Sequence, residues 1–352
     1  MAHAKYRVIA QAFLASLFFA MSAPIAKILL VNVDPVMLAA LLYLGSGFGL
    51  LLLKVTLHQL KPSAEAHLTK TDMPWLMGAI LAGGIAAPIV LMCSLRNTSA
   101  STASLLLNFE GAATSVLAAV LFREALGKRI WMAVILVTLG SIILSWDRSE
   151  RMSFSIGALG IVVACTLWGL DNNLTRHISG KDPVMITIIK GIGAGVVSLC
   201  MALLLGNRLP SLGYISMAIV LGFFAYGLSI VFFISALRHL GAARTSAYFG
   251  TAPFIGALLS FVLLKEVPDV SFLFAVPIMV AGAICLLIEK HEHTHTHPEF
   301  EHEHRHDHDD DHHNHDHETI TNGFHSYRHK HCAITHIHPH TPDIHHRHEH
   351  GR

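Results

Sequence analysis

The sequence predicts an all-α integral membrane protein: ten transmembrane helices as two inverted five-helix repeats, plus a disordered cytoplasmic tail. Three observations carry this expectation. Of 352 residues 53% are hydrophobic and only 14% charged, with a positive mean hydropathy, which is far from a soluble globular profile. The apolar residues fall into runs long enough to span a bilayer. The last 62 residues, His291 to Arg352, break with this pattern and hold 22 of the 27 histidines.

A hydrocarbon core of ~30 Å needs about 20 apolar residues in helix. Runs of that kind lie at approximately 8–30, 36–57, 73–95, 98–122, 129–147, 154–176, 183–206, 212–237, 243–264 and 270–289. The first has Lys5 and Arg7 ahead of it and small residues at Ala20–Ala23, as a secretory leader would. It continues through Ile25 to Val33 with nine more spans behind it, so a retained helix is expected. With the N-terminus inside, 13 Lys/Arg flank the spans on the cytoplasmic face and six on the other, which favours that orientation. Ten crossings then bring both termini to the cytoplasm. The expected location is a bacterial inner membrane.

The chain also repeats itself. Asp34-Pro35-Val36-Met37 recurs as Asp182-Pro183-Val184-Met185, each opening a span. At an offset of 142, Leu95-Arg96 pairs with Leu237-Arg238, Arg123-Glu124 with Lys265-Glu266, and Gly140 with Gly282. Five spans per unit is an odd number, so the second copy enters the membrane upside down relative to the first, as in secondary transporters. The expected units are 1–147, 148–290 and a tail, 291–352.

Three ionisable residues interrupt the spans, where charge is costly and normally faces the bundle interior or a wet cavity. Glu110 lies near the middle of the fourth span, while Asp171 in the sixth and Lys190 in the seventh lie at similar depth near one face. Depth alone makes Asp171 and Lys190 a potential buried ion pair. Their repeat partners are Ala252, Ser22 and Leu42, so all three break the internal symmetry, which favours substrate or proton handling over scaffolding. Glu110 has no evident cationic partner and is suited to exchanging a proton for a cation. Asp171, Asn172 and Asn173 form the most polar patch in any span; they fit a cation, a polar metabolite or helix–helix bonding. His177 and His239 at membrane boundaries, and Glu124 and Glu266 at span ends, read as interfacial or structural. The scattered cysteines suggest no disulfide framework.

The tail alternates imidazole with Thr, Glu and Asp: His291, His293, His295, His297, His302, His304, His306, His308, His312, His313, His315 and His317 form its densest part. Neutral imidazole with neighbouring carboxylates suits Ni, Co, Zn or Cu. The tail holds 5 Lys/Arg against 12 Asp/Glu, and residues 1–290 hold 20 against 12, so the near-neutral total is a cancellation. With little apolar content, the tail is expected to lack fixed structure without metal.

Two five-span units, one closing in Phe122-Arg123-Glu124-Ala125-Leu126 and the other in Leu264-Lys265-Glu266-Val267-Pro268, resemble the EamA-type branch of the drug/metabolite transporter superfamily. Trp168-Gly169 with Asn172-Asn173, and Pro253 in the ninth span, are similar to that family's pattern. The departures are Ala20-Met21-Ser22-Ala23 in the first span, and Glu110-Gly111 where the ninth has Ala252-Pro253. The resemblance implies export of amino acids or other small metabolites, while the tail is similar to those of nickel and cobalt resistance transporters. The expectation is a proton-coupled exporter of divalent metal, nickel or cobalt, with the tail collecting metal at the cytoplasmic mouth. The alternative is a metabolite exporter whose tail is a metal-responsive regulatory or buffering element. No motif supports nucleotide hydrolysis or other enzyme chemistry, no cofactor is required, and no nucleic-acid partner is implied.

Overall fold

Long apolar runs fold as helices in lipid because only a helix satisfies its backbone groups internally. A computed structural model describes residues 2–58, 66–122, 126–147, 153–236, 248–287, 292–297, 300–306, 325–331 and 334–339. Among the described residues, eight helices are long and apolar enough to cross a membrane. These are α1 (Ile9–Leu29), α2 (Pro35–Thr56), α3 (Lys70–Arg96), α4 (Ala100–Leu121), α5 (Lys128–Ser145), α6 (Ile156–Arg176), α7 (Pro183–Leu204) and α8 (Leu212–Ala236). Two shorter apolar helices follow, α9 (Ala252–Leu264) and α10 (Val270–Cys285). Residues 243–247, the start of the ninth expected span, lie outside the described residues.

Several of these helices are not regular, although their apolar runs are continuous. The α3 helix widens into a π-helical turn at Ile80–Ala86, and α8 does so at Phe223–Leu228. Shifted by 142 residues, the first segment falls on the second to within one residue. The α4 helix breaks: Ala100–Leu106 ends in a turn at Leu107 and Asn108, and a second helix runs over Phe109–Phe122. A turn at Gly250 and Thr251 precedes α9 at the matching position. Paired irregularities of this kind are where membrane transporters place their binding groups.

The centre of the bundle is a glycine-lined packing of α2 on α7 and α8. Apolar side chains gain little by leaving lipid for another helix, so close backbone approach through small residues matters more than in water. A Cβ on Gly191 would stand 2.6 Å from Gly47 N, and one on Gly195 2.7 Å from Leu44 N. Gly45 meets the Ile219 backbone and Gly222 the Leu42 backbone in the same way. The two helices that open with Asp-Pro-Val-Met therefore cross in near backbone contact.

The bundle ends are tied by charges that also cap helices. At one end, Lys27 Nζ donates to Leu95 O (2.7 Å), Thr98 O (2.8 Å) and Arg96 O (3.1 Å) at the α3–α4 turn. Glu266 accepts from the first amides of α4, Ala100 N (2.7 Å) and Ser101 N (2.8 Å). At the other end, Asp182 accepts from Val184 N and Met185 N and pairs with Lys54 at 2.7 Å. Glu266 is therefore a structural residue anchored to backbone; Glu124 lies outside the described residues.

In the tail, backbone 292–297 pairs antiparallel with 334–339, and 300–306 with 325–331. Strict alternation of imidazole is a strand period as well as a ligand spacing.

Substituting Ala at Gly191 should lower stability by about 1–3 kcal/mol through overpacking against Gly47. The same change at Gly213, which has nothing within 4 Å, should be neutral or slightly stabilising. Thermal unfolding of the detergent-solubilised protein measures both.

Candidate functional site

The broken α4 carries the centre of the site. Its second half begins at Phe109, so Glu110 sits in the first turn of a helix inside the membrane. A carboxylate is favoured there by the helix dipole. Asn172 Nδ2, from α6, donates to Glu110 Oε1 at 2.8 Å and to Thr114 Oγ1 at 3.2 Å. Asn173 Nδ2 ties α6 to α4 through Thr114 O at 3.0 Å and also reaches Gly169 O at 2.8 Å. Adjacent Asn residues thus divide the work, Asn172 meeting the acid and Asn173 the backbone beside it. Close approach of α6 to α4 is possible because Gly169 lies against the backbone of Ala113 and Thr114.

Asp171 and Lys190 form an ion pair, 4% and 9% exposed. Thr175 Oγ1 donates to the other Asp171 oxygen at 3.0 Å. The pair locks α6 to α7, and Gly83 of α3 lies so close to the Asp171 carboxylate that no side chain would fit there. Of the two carboxylates inside the spans at this site, Glu110 is the one without a lysine or arginine at ion-pair distance among the described residues.

Aromatic rings cluster near these charges. Phe19 packs at centroid distances of 6.3 Å from Trp168, 6.2 Å from Tyr226 and 5.2 Å from Phe249; Tyr43 and Tyr226 are 5.6 Å apart. Both tyrosines lie within electrostatic reach of Glu110. Asn108 Nδ2, in the α4 break, is buried without a hydrogen-bond partner among the described residues. A group in that condition is costly unless something meets it.

Of the residues singled out from sequence, Glu110, Asn172 and Asn173 are brought together, and Asp171 and Lys190 pair beside them. Sequence reasoning treated 98–122 as one continuous helix, which would put Asn108 on a different face from Glu110, and the break removes that premise. It also missed Thr114, Tyr43 and the Gly83 carbonyl. The available signal was the departure pair, since Glu110-Gly111 and Ala252-Pro253 both begin the helix that follows a break. In the tail, His291, His308, His312, His313, His315 and His317 lie outside the described residues. His293, His295, His297, His302, His304 and His306 lie on described strand backbone only. Among the described residues, no group of three or more His, Cys, Asp or Glu is placed to hold a metal ion.

Apolar helices, paired irregularities at matching positions and a charged cluster inside the membrane define a membrane transporter. The sequence pattern of the EamA-like transporter family matches the chain twice, over residues 7–146 and 155–288. The chain belongs to that family, within the drug/metabolite transporter superfamily. An uncharacterized transporter of Methanothermobacter thermautotrophicus is 30% identical over 267 residues, 72% of this chain and 78% of that protein. The uncharacterized transporter YyaM of Bacillus subtilis is 21% identical over 206 residues, 56% of this chain and 67% of that protein. A solved crystal structure shares the fold with a TM-score of 0.60 at 16% identity, covering 80% of this chain and 98% of the other.

Breaking the buried pair should be costly in either single variant. Lys190→Met or Asp171→Asn should lose about 3–5 kcal/mol, because each strands a charge, whereas the double variant should recover most of the loss. Thermal stability of the three proteins, compared with wild type, measures this.

Proposed function

We propose that the chain is a secondary active exporter of divalent metal cations, nickel or cobalt, driven by protons. The observation that carries the coupling is Glu110: a carboxylate at a helix break inside the membrane, held by one amide, with no lysine or arginine at ion-pair distance among the described residues. Asn172 occupies Oε1, leaving Oε2 for a proton or a cation. One oxygen that takes either, but not both, is the minimal basis for exchanging one against the other. Asp171, satisfied by Lys190, serves the architecture and not the cargo. Asn172 orients the acid, and Asn173 fixes Asn172 by anchoring α6 on α4.

In this proposal the halves, 1–147 and 148–290, are inverted about the membrane plane. Both termini are cytoplasmic in a bacterial inner membrane, and the tail, 291–352, collects metal at the entry side. Many weak imidazole sites raise the local metal concentration without trapping the ion. The support for metal is the tail's 22 histidines, because imidazole-rich, thiol-poor ligands suit borderline divalent ions.

A second reading keeps the transporter and changes the cargo to a small organic solute, with the tail as a metal-responsive element. Two observations favour it: the ring cluster of Phe19, Tyr43, Trp168 and Tyr226, and the Asn108 amide, which offers a donor to a carbonyl or carboxylate. Metal accumulation separates the two readings in cells lacking the chain, carrying it whole, or carrying it cut after Lys290. Lower metal content with both forms supports metal export by the membrane part, with the cut form needing higher external metal. Unchanged metal content with altered metabolite efflux establishes the second reading.

Under either cargo, Glu110→Gln keeps shape and removes titration. Export in inverted vesicles should fall by roughly tenfold or more, the factor that 1.4 kcal/mol represents, and should no longer respond to an imposed pH gradient. Export at the wild-type rate across pH would sink the coupling role.

A further inference from the structure

The widened turns of α3 and α8 are held by one face of one helix. A π-helical turn shifts the hydrogen-bond register and frees backbone carbonyls that neighbouring groups can use. The Gly83 carbonyl, in the α3 turn, accepts from Tyr43 Oη at 2.6 Å and from Trp168 Nε1 at 3.0 Å. The Tyr226 carbonyl, in the α8 turn, accepts from Ser46 Oγ at 2.9 Å. Tyr43 and Ser46 are three residues apart on α2, on the same side of the helix. Both are buried, at 4% and 2% exposure. One rigid element thus grips the irregular turn of each sequence repeat.

We propose that Tyr43 and Ser46 are positioning residues that couple the α3 and α8 turns, so that neither bends without the other. Helices flex where their hydrogen-bond ladder is disturbed, so the two turns are the hinges available to α3 and α8. A bend in α3 carries the Gly83 carbonyl away from Tyr43 unless α2 follows. If α2 moves, Ser46 pulls on the Tyr226 carbonyl. Its freedom to slip is small, because Gly45 and Gly49 of α2 lie against Ile219 and Phe223 of α8. Trp168 adds a grip on Gly83 from α6, the helix that carries Asp171 and Asn172, so hinge movement is also felt at Glu110. The inference rests on the chain's being a transporter that bends these helices and is independent of the cargo.

Hydrogen–deuterium exchange on the full-length protein in lipid nanodiscs tests this without any cargo, so its failure leaves the cargo reading untouched. Tyr43→Phe and Ser46→Ala each remove one hydroxyl and little volume. Coupling requires cross-effects: Tyr43→Phe should speed exchange in peptides covering 223–232 as well as 80–90, and Ser46→Ala should do so in 80–90 as well as 223–232. The expected size is about three- to tenfold, the factor carried by one neutral hydrogen bond. Thr56→Ala, whose hydroxyl among the described residues bonds its own helix at Leu52 O and Leu53 O, should leave both segments at the wild-type rate. Each variant loosening only its own turn, or neither turn responding, would overturn the proposal, as would Thr56→Ala loosening both. Ser46→Ala carries the test alone if Tyr43→Phe is not recovered folded, because its distant reporter is the α3 turn.

Discussion

Backbone-to-backbone packing of α2 on α7 and α8 is the constraint on which the remaining geometry depends. In water such a seam would be driven by apolar burial, but in lipid it forms because glycines let the main chains approach. Gly47 against Gly191, and Leu44 against Gly195, set the distance and angle at which α2 crosses α7. Lys190 stands one residue before that contact, so its reach toward Asp171 is fixed by it. Tyr43 is set by the same seam, since its carbonyl lies against Gly191. A hydrogen-bonding face on α2 and a buried cation on α7 are thus positioned by the absence of side chains nearby.

The charges follow a simple division. The Asp171–Lys190 pair is electrically closed and braced by Thr175, while Glu110 is open. Burying a closed pair has a cost that good geometry offsets, whereas an open carboxylate in the membrane is stable only when it carries a proton or meets a cation. Under the proposed function, that difference separates an architectural role from a chemical one more firmly than location does, because all three residues lie within spans.

Span positions were legible in the sequence because hydropathy integrates over some 20 residues and is insensitive to local backbone irregularity. The same insensitivity hid the breaks. Leu105, Leu106 and Leu107 continue an apolar run straight into the turn, and a π-helical turn adds one residue to a helix without changing its composition. Approach of Asp171 to Lys190 could be anticipated from depth, since few arrangements leave two buried charges apart. The Asn172–Glu110 bond could not, because it depends on how α4 is rotated after its break. Glu110-Gly111 opposite Ala252-Pro253 is visible in the sequence as a mismatch between repeats. Its meaning, that both begin a half-helix, needed the backbone.

The charge mismatch between the halves bears on the energetics of the transport cycle. Two identical units inserted in opposite senses would exchange conformations when the protein turns from one side to the other. The two facing states would then have equal energy by symmetry. Here Glu110, Asp171 and Lys190 sit in positions whose counterparts are Ala252, Ser22 and Leu42. Under the inverted arrangement proposed, this inequality of side chains is what permits the two states to differ in energy, and every 1.4 kcal/mol of difference is a tenfold bias in occupancy. The resting orientation of the protein is therefore written where the charges of the two copies disagree, while the motion itself is written in the irregular turns where they agree.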